Sequence, residues 1–203
     1  MLRHTMQEED WCAIAKVLVV GYLQEQYLPI FLAVPFMENC LFDRYNEASL
    51  LETFMQFVDD DERDTLERCL NNLDDVPPEE CDEVLCTYEV KVKVSKANIK
   101  KVLDEVAHKY IIQMPAFVSR CWAPLLRKYV VPKLPMQNLQ AFGERLKPTT
   151  RKVVSMLSFT QDVELNRRYK SLSEMVKKYV CSLDEEKLGA FLRFCTGKVV
   201  IEI

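Results

Sequence analysis

Eight cysteines, at positions 12, 40, 69, 81, 86, 121, 181 and 195, and two histidines, His4 and His108, are the residues of this chain with the most reactive side chains. A thiolate is both a strong nucleophile and a soft metal ligand, so the spacing of these residues decides what chemistry is open to them. A structural zinc site calls for close pairs of cysteine or histidine. The spacings here are long and irregular and no CxxC occurs, so neither a metal site nor a cofactor is expected. No leader with a charged head, apolar centre and small-residue cleavage site is visible, and reduced thiols are the expectation. Cys12, Cys121 and Cys195 stand among Trp, Ile or Phe and read as small buried hydrophobes. The acidic run Asp59-Asp60-Asp61-Glu62 lacks the alternating oxygen ligands and the turn glycine of a calcium loop, and suits a helix N-terminus instead. His108 has no base-orienting partner near it in the sequence and reads as a packing or solvent histidine. No paired carboxylates occur in a setting that suggests acid–base catalysis, and no catalytic residue is assigned.

These residues must be positioned by a core, and the 203-residue chain has material for one. It is 49% hydrophobic and 29% charged, which is an ordinary globular balance. Its four glycines disfavour sandwiches and barrels with many tight turns and favour helices joined by short loops. The net charge of −4 and a sequence pI of about 5.4, with no basic stripe, speak against nucleic acid as a partner. The longest apolar stretch, Ile14 to Leu23, is interrupted by Lys16 and is too short to span a bilayer.

Helical spacing dominates. Trp11, Ile14, Ala15, Leu18, Val19, Tyr22 and Leu23 recur at three and four, behind the acidic start Glu8-Glu9-Asp10. Pro29 opens a second helix to about Phe42, with Pro35 kinking or breaking it. Residues 49–57 repeat the pattern, with Ser49 and Glu52 as a capping box. A helix after Asp59 presents Leu66, Cys69, Leu70 and Leu73. The polar, proline-bearing stretch from Leu73 to Glu80 reads as a connection. Thr87 to Val94 alternates apolar and charged residues and is the clearest strand. Ser95 caps a helix with Ile99, Val102, Leu103, Val106 and Tyr110 on one face. Past Pro115, a helix distorted by Pro124 carries Phe117, Cys121, Trp122, Leu125, Leu126 and Tyr129. Further helices are expected around Leu139–Leu146, near 161–180 and over 183–195, the last with Ser182-Leu183-Asp184-Glu185 as its capping box and Cys195 on its apolar face. Val199 to Ile203 alternates like a strand. The fold class expected is mainly α with few short strands (α+β).

The segment Leu188-Gly189-Ala190-Phe191-Leu192-Arg193-Phe194-Cys195-Thr196-Gly197 resembles the FLxFxTG signature of HECT-type ubiquitin ligase domains, where a helix ends in Thr-Gly and a strand follows. Ala13 to Tyr22 followed by Leu28-Pro29-Ile30 resembles a helix and its exit in the larger lobe of that family. Ile99 to Ile112, after the strand expected at 88–94, is similar to that lobe's strand–helix passage. Lys147 to Val153 resembles a stretch ahead of the small lobe in divergent members of the G2/M-phase-specific ligase type. The resemblance spans most of the chain in the right order, on motifs of moderate to low specificity.

The resemblance implies a partial bilobal HECT-like domain, with 1–146 as the C-terminal portion of the large lobe and 147–203 as the start of the small lobe. It implies ubiquitin transfer through a cysteine thioester in the whole domain. The cysteine that does this follows the Thr-Gly strand, and the sequence stops at Ile203, so the expectation is a segment that forms no thioester by itself. The partners implied are a ubiquitin-conjugating enzyme and ubiquitin, in the cytoplasm or nucleus. Trp122, Leu125, Leu126 and Tyr129 are the candidate partner-binding residues, because aromatics dominate binding hot spots; the same face reads first as core. The alternative function is a non-catalytic helical protein-interaction module.

Overall fold

The computed structural model describes residues 6–29, 31–159 and 166–196. Eleven α-helices are present among them: α1 (Glu8–Glu25), α2 (Val34–Phe42), α3 (Leu50–Met55), α4 (Asp60–Asn71), α5 (Pro78–Thr87), α6 (Ile99–His108), α7 (Ala116–Tyr129), α8 (Leu139–Leu146), α9 (Thr150–Met156), α10 (Asn166–Cys181) and α11 (Glu185–Thr196). A π-turn over Lys109–Gln113 continues α6. The chain divides into two compact units, residues 1–20 with 31–139, and residues 21–30 with 140–203.

No strand occurs among the described residues, so the expected α+β class is corrected to a wholly helical one. At 87–94 the reason is local. Helix α5 runs to Thr87 and ends in a Schellman pattern: the Val90 amide donates to the Leu85 carbonyl at 3.1 Å and the Glu89 amide to that of Cys86 at 2.9 Å. Glu89 takes the left-handed φ of 59° that such an ending needs. The alternating valines then run on with no partner strand, and Val92 is 62% exposed. The strand expected at 199–203 lies outside the described residues. Helix α5 itself was hidden in the stretch expected to be a connection. Pro78 sits in its first turn, where a missing amide costs nothing, with Glu79 and Glu80 beside it, and Cys81 and Leu85 turn inward.

In the first unit, α2 packs along α7. Pro35 lies in the first turn of α2 and starts the helix instead of kinking it. Asp43 ends α2 in a left-handed conformation, φ 57°, with its amide bonded to the Asn39 carbonyl at 3.1 Å. Arg127 of α7 reaches the same helix end, donating to the Cys40 carbonyl at 2.9 Å and the Asn39 carbonyl at 3.1 Å and pairing with Asp43 at 3.0 Å. These bonds satisfy carbonyls that a helix C-terminus leaves without partners. Helix α7 passes through Pro124 unbroken. The capping box expected at Ser49 does not form; Asn46 instead accepts from the Ala48 amide at 3.1 Å and opens a short 3₁₀ turn ahead of α3. The buried stripe of α6 is Ile99, Val102, Leu103 and Val106, as its spacing predicts, but Tyr110 falls in the π-turn and is half-buried.

In the second unit, Val153, Val180, Leu188 and Leu192 form a core joined by Val176, Leu183 and Phe191. Tyr22 meets Phe142 with ring centroids 5.8 Å apart. Thr149 caps α9, and Lys152 of that helix sends its ammonium back to the carbonyls of Glu144, Arg145 and Lys147 at 2.8, 3.0 and 2.9 Å, closing the end of α8. The cap of α11 is Asp184 and not Ser182: its Oδ1 accepts from the Lys187 amide at 2.9 Å, whereas the Ser182 hydroxyl donates to the Tyr179 carbonyl at the end of α10. Hydrogen bonds from Lys187 hold the Asp184 carboxyl below its ordinary value.

The register of α11 corrects a second expectation. Leu188 and Leu192 are buried, but Arg193, Phe194 and Cys195 are all exposed, Phe194 to 90%. Cys195 continues the inward line by spacing, yet it stands in a last turn whose side chains no neighbour covers. It is therefore a surface thiol. Leu192→Ala is expected to cost the second unit about 2–4 kcal/mol and Phe194→Ala no more than about 0.5 kcal/mol. Urea denaturation followed by circular dichroism measures both, and equal costs would mean that the helix is turned differently.

Candidate functional site

The first unit holds an open cleft of about 1390 Å³ bounded by α3, α4, α6 and the π-turn. Helical periodicity builds each wall. From α3 come Leu50, Leu51, Glu52 and Met55; from α4 come Arg63, Glu67 and Leu70, at i, i+4 and i+7. On α6, Lys100, Asp104 and His108 recur every four residues on the face turned away from its buried stripe, and so look into the cleft. The apolar surface comes from Leu50, which is buried, and from Leu51, Met55 and Leu70, which are half-buried.

Arg63 fixes the corner between α3 and α4. Its Nε donates to the Met55 carbonyl at 2.6 Å, its Nη2 to the Val58 carbonyl at 2.7 Å, and its Nη1 pairs with Asp60 at 2.9 Å. Of the other cations of the rim, Lys101 pairs with Glu105 at 3.8 Å and Lys109 with Glu89, while Lys100 has no ion-pair partner among the described residues. The hydrogen bond between Lys109 and Glu89 raises the lysine pKa and lowers that of the carboxyl. Glu52, Glu67 and Asp104 have no ion-pair partner within 4 Å among the described residues, so the cleft carries a surplus of carboxylate.

The cleft holds no cysteine, serine or threonine, and His108 is its one imidazole. His108 Nδ1 meets the Gln113 amide nitrogen at 3.1 Å, and its ring lies 6.2 Å from that of Tyr45. No hydroxyl or thiol of Ser, Thr or Cys therefore stands beside His108, and an apolar floor with a charged rim suits binding. The volume exceeds what drug-sized ligands fill, about 300–1,000 Å³, and suits a stretch of polypeptide. Among the described residues no three His, Cys, Asp or Glu side chains converge as metal ligands would, and no helix is long and apolar enough to cross a membrane.

The four residues singled out on α7 do not form one surface. Trp122 and Leu126, four apart, both point inward, at 5% and 0% exposure. The Trp122 ring packs edge-on against Phe36 at 5.8 Å and lies 6.3 Å from Trp11. Its indole N–H has no acceptor among the described residues. Leu125 is half-buried and Tyr129 is 39% exposed, on another line of the same helix. The cleft residues were legible only in part: Leu50, Leu51 and Leu70 fall in the helical spacing, but that spacing does not say which face of a short helix stays uncovered.

No family model, curated protein or solved structure matches this chain.

Leu126→Ala is expected to destabilise the first unit by about 3 kcal/mol and Tyr129→Ala by less than about 0.5 kcal/mol, measured by denaturant titration. A comparable loss for both would place the two side chains on one buried face.

Proposed function

We propose that this chain is a segment of a HECT-type ubiquitin ligase that acts by docking a ubiquitin-conjugating enzyme, in the cytoplasm or nucleus, and carries no thioester on its described cysteines. The reading draws on the ordered likeness of Ala13–Ile30, Ile99–Ile112, Lys147–Val153 and Leu188–Gly197 to that family. The observation that carries the docking role is the cleft of α3, α4 and α6, with an apolar floor and a charged rim whose carboxylates outnumber its cations. The thiols add to it. Cys40 is pushed up to about 11, chiefly by burial, and Cys69 up to about 12 for the same reason, so neither supplies thiolate at neutral pH. Cys86, Cys181 and Cys195 are exposed. With the strand at 88–94 absent, the family reading rests on its helical motifs.

The second reading, a helical interaction module outside the ubiquitin pathway, draws on the wholly helical architecture. Calorimetric titration of the chain with a panel of conjugating enzymes separates the two. Binding is expected, and Leu51→Asp and Met55→Asp in the cleft are expected to weaken it at least about tenfold, an effect of about 1.4 kcal/mol, while Tyr129→Ala leaves it unchanged. Failure of every conjugating enzyme to bind would decide for the second reading. In a charging assay with activating and conjugating enzymes, no thiol-reducible ubiquitin adduct is expected; such an adduct on any cysteine from 1 to 203 would overturn the non-catalytic assignment.

A further inference from the structure

Cys69 on α4 and Cys81 on α5 face each other with their sulfurs 3.4 Å apart, and both are buried, at 1% and 4% exposure. They lie 12 positions apart in the chain, on two helices packed side by side. The residues just before them lock the same register: Arg68 pairs with Glu80, and the Thr65 hydroxyl donates to the Glu80 carboxylate at 2.9 Å. Cys12 and Cys121 also interact through their side chains, but no sulfur–sulfur approach like that of Cys69 and Cys81 is seen for them. The Cys12 thiol turns to the Cys121 carbonyl, at 3.8 Å, and that of Cys40 to the Ser119 hydroxyl, at 3.3 Å.

We propose that Cys69 and Cys81 are a modification site, a thiol pair that a small-molecule disulfide such as oxidised glutathione converts to an intramolecular disulfide. The sulfurs need only close from 3.4 Å to about 2.05 Å, and the packed helices already set the pairing. The step balances by exchange. Cys81 loses its proton and attacks one sulfur of the glutathione disulfide, forming a mixed disulfide and releasing one glutathione thiol. Cys69 then attacks the Cys81 sulfur, the second glutathione leaves with the Cys69 proton, and the two electrons given up by the protein reside on the two glutathione thiols. Burial shields both thiols from the reagent while the helices are closed, so reaction proceeds through opening of α5, a ten-residue helix without a side-chain N-cap, and is slow.

The consequence falls on the cleft. Helix α4 lines it through Arg63, Glu67 and Leu70 and carries Cys69 on another face. The disulfide ties α5 to the helix that forms this wall. The inference goes beyond the ligase reading and does not depend on it.

The test is peptide mapping of the full chain after incubation with excess oxidised glutathione at mildly alkaline pH, then alkylation in denaturant. A crosslinked peptide containing Cys69 and Cys81, reversed by dithiothreitol, is expected, with Cys86, Cys181 and Cys195 carrying glutathione as internal standards. Free Cys69 and Cys81 alongside modified standards, or a crosslink to any other cysteine, would overturn the proposal. A thermal midpoint that rises on oxidation in the native sequence and not in Cys69→Ala is the second readout. A crosslink that leaves the midpoint unchanged would refute the tie between the helices.

Discussion

Arg127 bonds to the end of α2 from a helix more than eighty positions further along the chain, and the first unit depends on that clasp. A helix C-terminus leaves carbonyls without partners, and one guanidinium supplies donors to two of them while its charge meets Asp43 and the negative end of the helix dipole. The rest of the interface is built in register with it. Cys40 and Asn39 both bond to the Ser119 hydroxyl, at 3.3 and 3.4 Å, and Phe36 stacks edge-on against Trp122. With α7 anchored in this way, the π-turn ahead of it can lead the chain back into α6. The Met114 amide reaches the Lys109 carbonyl, five residues back, and this widened turn brings Lys109 and Gln113 to the wall of the cleft. π-Turns inside helices recur at functional sites, and here one lines the cleft proposed for docking.

Much of this architecture was legible because helices announce themselves by spacing. The stripes of α6 and α7, the acidic start of α4 and the apolar pair Leu188 and Leu192 all follow from periods of three and four. What failed was punctuation. Glu89 takes a left-handed conformation usually given to glycine, so nothing in its type warned that α5 would end there and turn an alternating stretch into an open connection. Pro77-Pro78 followed by two glutamates looks like a linker and is the first turn of a helix. Ser182 and Asp184 are both good caps, and only the geometry assigns one to the end of α10 and the other to the start of α11. Cys195 obeys the period of its helix and is still exposed, because periodicity fixes direction and not whether a neighbour is present in that direction.

The second unit raises the same point at larger scale. Leu172, Met175 and Tyr179 recur at i, i+3 and i+7 on α10 and are 53%, 64% and 57% exposed, while Val176 and Val180 of the same helix face the core. The apolar arc of α10 is wider than its own unit covers. Spacing alone would have assigned the whole arc to the interior, and only the count of helices packed around it shows that half is left at the surface.

The ionisable groups bear on whether this chain performs chemistry. Catalytic thiols are stabilised as thiolates by cations, helix N-termini or a base. Here the buried thiols move the other way: Cys40, Cys69 and Cys121 are all raised, and in each case burial is the largest cause. Tyr88 is raised too, by burial first and then by its hydrogen bond to Glu62. The groups shifted toward their charged forms, Glu80, Glu89, Lys109 and Asp184, are members of surface ion pairs. Desolvation has thus stabilised the neutral form of Cys40, Cys69 and Cys121, and the cleft keeps carboxylates without ion-pair partners among the described residues. A partner that brings cations to Glu52, Glu67 and Asp104 and an apolar side chain to Leu51 and Met55 would find both needs met in one place, which is the physical content of assigning this cleft to docking.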